Sequence, residues 1–183
     1  MGTSQRWVNK KRAAKIKIST LTFVFIVFLA NISLCSAQDI GWEDNFNTGV
    51  AEWYDEYDSD SFNCIITSLE DGTASIEVIG NSTWGKVAKV IEDVDLNKYP
   101  VIEIKANHVD PDSAFKVGIT SLDWKEYYEI IPGQNLPGVY SESIKENVKL
   151  SNKFNSKFNL VIIIEGSNKS SIFDYIRLTS TKN

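Results

Sequence analysis

The chain has 183 residues, 43% of them hydrophobic, with 19 basic and 24 acidic side chains and a formal net charge of −5. Six of the basic residues and none of the acidic ones precede residue 38, so residues 38–183 carry 13 against 24, a net −11. That balance excludes the cationic surface on which nucleic-acid binding depends, and it equally opposes docking on anionic lipid.

The N-terminal segment is basic, then apolar. Arg6, Lys10, Lys11, Arg12, Lys15 and Lys17 come first, followed by an apolar run from Leu21 to Leu34 broken only by Thr22, Asn31 and Ser33. Cys35-Ser36-Ala37 then puts small residues ahead of Gln38. A basic stretch, an apolar stretch and a small-x-small site make a secretion signal. Residues 1–37 therefore read as an N-terminal signal helix cleaved after Ala37, and residues 38–183 as one exported domain, secreted or periplasmic. Two other readings stay open. An uncleaved anchor would make the membrane a partner, but a spanning helix needs about 20 apolar residues. A lipoprotein cysteine at Cys35 would want a small residue before it, where Leu34 stands.

After cleavage only Cys64 remains, so no internal disulfide can form. It lies in the apolar run Phe62-Asn63-Cys64-Ile65-Ile66 and reads as a buried small hydrophobe. The fold must then be held by its core or by a metal.

The rest of the chain reads as strands. They are expected near 40–46, 51–57, 62–68, 73–79, 84–93, 100–107, 113–120, 125–131, 138–145, 158–165 and 171–178. Residues 74–78, 102–106 and 115–120 alternate apolar and polar, which puts one face on a core and one in water. Leu160-Val161-Ile162-Ile163-Ile164 is continuously apolar, as in a central strand covered on both faces. Asp71-Gly72, Gly80-Asn81, Asp110-Pro111, Pro132-Gly133 and Glu165-Gly166-Ser167-Asn168 supply turns. Only residues 142–150 are ambiguous between helix and strand. Many short strands with regular turns indicate a β-sandwich or barrel.

Three local patterns then recur in order: Trp42-Glu43-Asp44-Asn45-Phe46-Asn47 followed by Trp53, the run from Val94 to Ile104, and Ile172-Phe173-Asp174-Tyr175-Ile176-Arg177-Leu178. Together they resemble the galactose-binding-like jelly rolls, the carbohydrate-binding modules found beside many secreted glycoside hydrolases and polysaccharide lyases. The resemblance spans about residues 41–178. It implies an all-β antiparallel sandwich (a jelly roll), a polysaccharide or glycan partner, and often a structural calcium ion between the first and last strands. No particular sugar-binding subfamily is matched by its ligand residues.

Calcium takes six to eight oxygens. If the first and last strands pair, as the resemblance implies, Asp44 and Asp174 approach each other, and Glu43 and Asn47 can add oxygens. The competing reading makes Asp44 a turn residue and Asp174 a solvated one. Asp58-Ser59-Asp60 and Asp93 with Asp95 read as loop charge.

Sugar rings present C–H faces on which Trp and Tyr stack. The candidates are Trp53, Tyr54 and Tyr57 in one cluster, Trp84 alone, and Trp124, Tyr127 and Tyr128 in another. Strand alternation puts Trp53 and Tyr57 on one face and Tyr54 on the other. Trp53 matches a core position of the resembled fold. Trp84, Trp124, Tyr127 and Tyr57 are therefore the expected ligand residues.

Catalysis has no signature. His108, the one histidine, precedes a turn with no nucleophile elbow around it. Asn81-Ser82-Thr83 and Asn168-Lys169-Ser170 fit the N-glycosylation sequon. The leading expectation is a secreted non-catalytic carbohydrate-binding module. Two alternatives remain: a small jelly-roll polysaccharide lyase or glycoside hydrolase, and a surface adhesion or structural protein that binds another protein.

Overall fold

A computed structural model describes residues 38–55, 64–149, 154 and 157–180. The expected signal segment, Tyr57 and the Asp58-Ser59-Asp60 cluster lie outside the described residues. The chain runs through β1 (Ile40–Asp44), β2 (Cys64–Ser68), β3 (Ala74–Val78), β4 (Trp84–Glu92), β5 (Val101–Val109), β6 (Ala114–Thr120), β7 (Tyr127–Gln134), β8 (Gly138–Ser143), a one-turn helix α1 (Glu146–Lys149), β9 (Lys157–Glu165) and β10 (Ser170–Thr179).

These strands form two antiparallel sheets that pack as a sandwich. The first is ordered β2-β3-β10-β5-β8, and β1 also pairs with β10. β10 is long enough to take two partners along one edge: its residues 170–173 pair with β3 and residues 176–179 pair with β1. The second sheet is ordered β4-β9-β6-β7. Tyr54 bridges to Ala88 and extends this sheet beyond β4 by a single residue.

Alternation explains the layering. In β3, Ala74, Ile76 and Val78 are buried and Glu77 is exposed. β9 sits between β4 and β6, and its apolar run is nearly all buried, as a central strand requires. Phe173 of the first sheet and Phe115 of the second meet edge-on, ring centroids 5.1 Å apart, and both are fully buried. Each such ring contributes about 1.5–3 kcal/mol by leaving water. Cys64 is a buried free cysteine, and burial pushes its thiol up to about 12.

Two expectations are corrected. Residues 51–57 are not a strand as far as they are described. Residues 51 and 52 form a turn, the Trp53 amide donates to the Val50 carbonyl at 2.9 Å, and only Tyr54 pairs with a neighbour. Trp53 is drawn into the core instead, at 5% exposure. The ambiguous stretch resolves into the end of β8 and α1, whose Val148 is buried. Among the described residues no helix is long and apolar enough to cross a membrane.

Candidate ligand-binding face

The second sheet has an outer face whose make-up follows from register. On β4, Val87 and Ile91 point to the core, so Trp84, Lys86 and Ala88 point out. Across the sheet Trp84 pairs with Glu165, Lys86 with Ile163 and Ala88 with Val161. On β6, Lys116 and Gly118 lie opposite Ile163 and Val161. On β7, Tyr127 lies opposite Thr120 and Glu129 opposite Gly118.

A charged cluster occupies one part of this face. Lys116 Nζ is 2.6 Å from Glu165 Oε1 and 3.8 Å from Glu129 Oε2. The hydrogen bond to Glu165 holds the Lys116 ammonium above its ordinary pKa. Tyr127 folds back over Gly118. A Cβ at that glycine would come within 2.5 Å of Tyr127 Cε2 and 2.7 Å of its hydroxyl. Partial burial, then the charges of Glu129 and Glu165, push the Tyr127 hydroxyl up to about 12. It therefore stays a hydrogen-bond donor at neutral pH.

The β6–β7 loop brings in Trp124. The Ser121 and Glu126 backbones close the loop, with Ser121 N donating to Glu126 O at 2.9 Å. Ser121 Oγ donates to Asp123 Oδ1 at 2.6 Å and accepts from Glu126 N at 3.1 Å. Below the loop, buried Asn159 donates from Nδ2 to Ser121 O at 3.3 Å and accepts from the Tyr54 hydroxyl at 2.7 Å. Trp124 itself has φ 58, the left-handed region that a bulky side chain rarely enters. Its indole Nε1 is buried with no hydrogen-bond partner among the described residues. Lys86 Nζ stands 3.8 Å from the ring centroid, so the indole is turned back over the strands.

Three of the four expected ligand residues thus share one face: Trp84, 38% exposed, Tyr127, 43% exposed, and Trp124. Tyr57, the fourth, lies outside the described residues. Tyr128 points inward and packs edge-on against Phe154. Lys86, Lys116, Glu129 and Glu165 were not singled out from the sequence. The alternation Trp84-x-Lys86 and Lys116-x-Gly118 was the available signal, and it acquires meaning only once β4 and β6 are known to flank β9.

The expected calcium residues are placed differently. β1 and β10 do pair, but Asp44 lies opposite Ile176 and turns inward, 6% exposed. Its Oδ1 accepts from Phe46 N at 2.9 Å, and its Oδ2 from Trp53 Nε1 at 2.9 Å and Lys89 Nζ at 2.8 Å. Asp174 pairs with Lys105 at 2.6 Å, and Glu43 faces Arg177 at 3.6 Å. Among the described residues no three His, Cys, Asp or Glu side chains gather as a metal site. The set Asp44, Asp174 and Glu43 does not fit a calcium ion: Asp44 is turned inward with both oxygens taken by nitrogen donors, while Asp174 and Glu43 pair with Lys105 and Arg177. His108 ends β5 on the first sheet, exposed, with Nε2 3.0 Å from Asp110 Oδ1.

Neither the protein-family models nor the curated proteins contain a match to this sequence. Solved structures share its fold. The xylan-binding module CBM15 superposes with a TM-score of 0.56 at 14% identity, over 78% of this chain and 97% of that one. The Clostridium thermocellum endo-1,4-beta-D-xylanase 10B, a CBM22-1–GH10 protein complexed with xylohexaose, gives 0.56 at 16% identity over 80% of this chain. PfGH50B gives 0.54 at 8% identity over 78% of this chain. The chain spans 29% of the xylanase and 24% of PfGH50B. The shared feature is the fold, a two-sheet antiparallel β-sandwich.

Proposed function

We propose that residues 38–183 are an exported polysaccharide-binding module whose ligand lies across the outer face of the β4-β9-β6-β7 sheet. The observation that carries this reading is the placement of Trp84, Tyr127 and Trp124 along that one face, with Lys116, Glu129 and Glu165 on the same face. Aromatic rings stack on the C–H faces of sugars, and the charged groups between them bond hydroxyls. From β4 to β7 the face spans three strand spacings, about 14 Å, room for several sugar units of a chain. Export rests on the basic, apolar and small-residue pattern of residues 1–37.

Xylan is the first ligand to test, because the solved structures of this fold include a xylan-binding module and a xylanase bound to xylohexaose. The test is a glycan array followed by titration with xylan and mannan, using the exported protein. Binding is expected, and Trp84→Ala and Tyr127→Ala should each weaken it about tenfold or more, as loss of a buried aromatic anchor does. Failure to bind any glycan would overturn the reading.

A further inference from the structure

The outward side of the second sheet has a floor that water does not reach. Leu160, Ile162 and Ile164 of β9 and Phe115, Val117 and Ile119 of β6 belong to the core, so Asn159, Val161, Gly118 and Thr120 face the other way. Register sets the outward residues in two rows, Ala88-Val161-Gly118 and Asn159-Thr120. Yet Ala88, Val161, Asn159 and Thr120 are fully buried, and Gly118 is buried with them. Ala88 and Val161 also stand apart from the main core cluster. A patch on the solvent side of a sheet is buried only if something lies on it.

Three aromatic side chains stand there. Tyr127 folds over Gly118. Tyr54, which bridges to Ala88, sets its hydroxyl on Asn159 at 2.7 Å. The Trp124 ring stands on Lys86, two residues along β4 from Ala88. Of the three, Trp124 is placed at a cost. Its φ of 58 is left-handed, which a bulky side chain rarely adopts, and its indole Nε1 is buried with no hydrogen-bond partner among the described residues. A buried donor left unbonded is unfavourable. Turning the indole out into water would hydrate that donor and return the backbone to an ordinary conformation. The apolar floor and the cation–π contact with Lys86 oppose the turn. Opposed terms of this kind leave two conformations close in free energy.

The loop that carries Trp124 has a fixed base and a free tip. At the base, Ser121 N donates to Glu126 O at 2.9 Å, Trp124 N donates to Ser121 O at 2.9 Å, and Asn159 Nδ2 holds Ser121 O from below at 3.3 Å. At the tip, Leu122, Asp123 and Lys125 are exposed, and the indole alone is turned back. We infer that Trp124 is a lid over the Ala88-Val161-Gly118 floor. It is shut in the structure, and it swings outward to admit a sugar ring, which then rests a C–H face on the floor and stacks against the indole. The identity of the guest rests on the polysaccharide reading; the motion does not. A ligand that touches floor and indole together favours the open form, because only that form offers both surfaces.

The motion is tested first without any sugar. The exported protein labelled with nitrogen-15 tryptophan gives one indole N–H signal per tryptophan, and Trp124→Phe identifies that of Trp124. Relaxation dispersion should show microsecond-to-millisecond exchange of this signal, with none at core Trp53. Lys86→Met takes the cation off the ring and should raise the open population about threefold, moving the Trp124 signal toward its position in the unfolded protein. Stopped-flow mixing with xylohexaose should then give a rate that levels off as the sugar concentration rises, with a higher plateau for Lys86→Met. Trp124→Ala, which has no lid, should bind in one step, more weakly and without a plateau. The lid is overturned if the Trp124 signal shows no exchange and Lys86→Met leaves it in place, or if the wild-type rate climbs linearly with xylohexaose. Exchange at Trp124 in a protein that binds no glycan would keep the lid and sink the polysaccharide reading alone.

Discussion

Lys86 Nζ lies 3.8 Å from the centroid of the Trp124 ring, which fastens the β6–β7 loop to the strand that carries Trp84. The indole is held there at some expense. Its backbone is left-handed, which for a residue with a Cβ costs about 1–2 kcal/mol, and its buried N–H has no partner among the described residues. Such strain tends to sit where function requires it. Trp124→Ala should therefore weaken polysaccharide binding about tenfold, while the urea midpoint stays level or rises. A lowered midpoint with unchanged affinity would make Trp124 a structural residue only.

The same loop should respond to acid. Asp123 is held down at about 2 by the Ser121 hydroxyl and then by the Lys125 amide. A depressed carboxylate supports its bonds above its unfolded value, about 3.8, and that support is lost as pH falls toward 2. Affinity for polysaccharide should drop across that window, and Asp123→Asn should show the lowered affinity already at neutral pH. Titration calorimetry at pH 7 and at pH 2 checks both.

Gly118 is required by the ring above it. A methyl there would meet Tyr127 at 2.5 Å and the Tyr128 carbonyl at 2.7 Å. The ring can swing away, but the carbonyl cannot without moving β7. Gly118→Ala should cost about 1–3 kcal/mol of stability, as overpacking does, and should displace Tyr127 from the face. Adding Tyr127→Ala should recover only part of the lost stability, which urea denaturation of the three variants will show.

Alkaline pH should unfold the domain through Cys64. Its thiol is raised by burial from 9.0 to about 12. A group raised on folding contributes stability that is complete below its unfolded value and disappears as pH climbs through its folded one. The loss should run from about pH 9 to pH 12. Cys64→Val removes the titrating thiol, so its melting temperature should fall less steeply over that range than the wild type's.

What the sequence made legible depended on distance along the chain. The alternation at residues 74–78 and the apolar run at 160–164 stated their own burial, and both strands stand where they were expected. Residues 51–57 failed because Trp53 is claimed by Asp44, a contact that strand alternation cannot express. That Trp84 and Tyr127 share one face was invisible, since it depends on β4 and β6 pairing with β9 across long stretches of chain. The burial of Glu103 was hidden for the same reason: its carboxylate is held by Arg177 and Tyr175, more than 70 residues away.

Asp44 was legible as a residue of importance, and the structure gives it a partner the sequence did not suggest. The resemblance makes it a calcium ligand, yet it stands at 6% exposure with Phe46 N, Trp53 Nε1 and Lys89 Nζ filling both oxygens. Lys89 comes from the second sheet, 45 residues away, and it also reaches Glu52 at 2.8 Å. Burial opposes the Lys89 ammonium, but its bonds to Asp44 and Glu52 more than offset this and raise its pKa. The pair thus joins the two sheets where a cation was expected to join the first and last strands. Removing one partner of a buried pair strands the other, which costs about 3–5 kcal/mol. Asp44→Ala and Lys89→Met should both be strongly destabilised, and the double variant should be less destabilised than the two single losses added together. With a lysine in place of the ion, EDTA should leave the melting temperature unchanged. A fall on chelation that calcium restores would show that a cation site exists elsewhere in the domain.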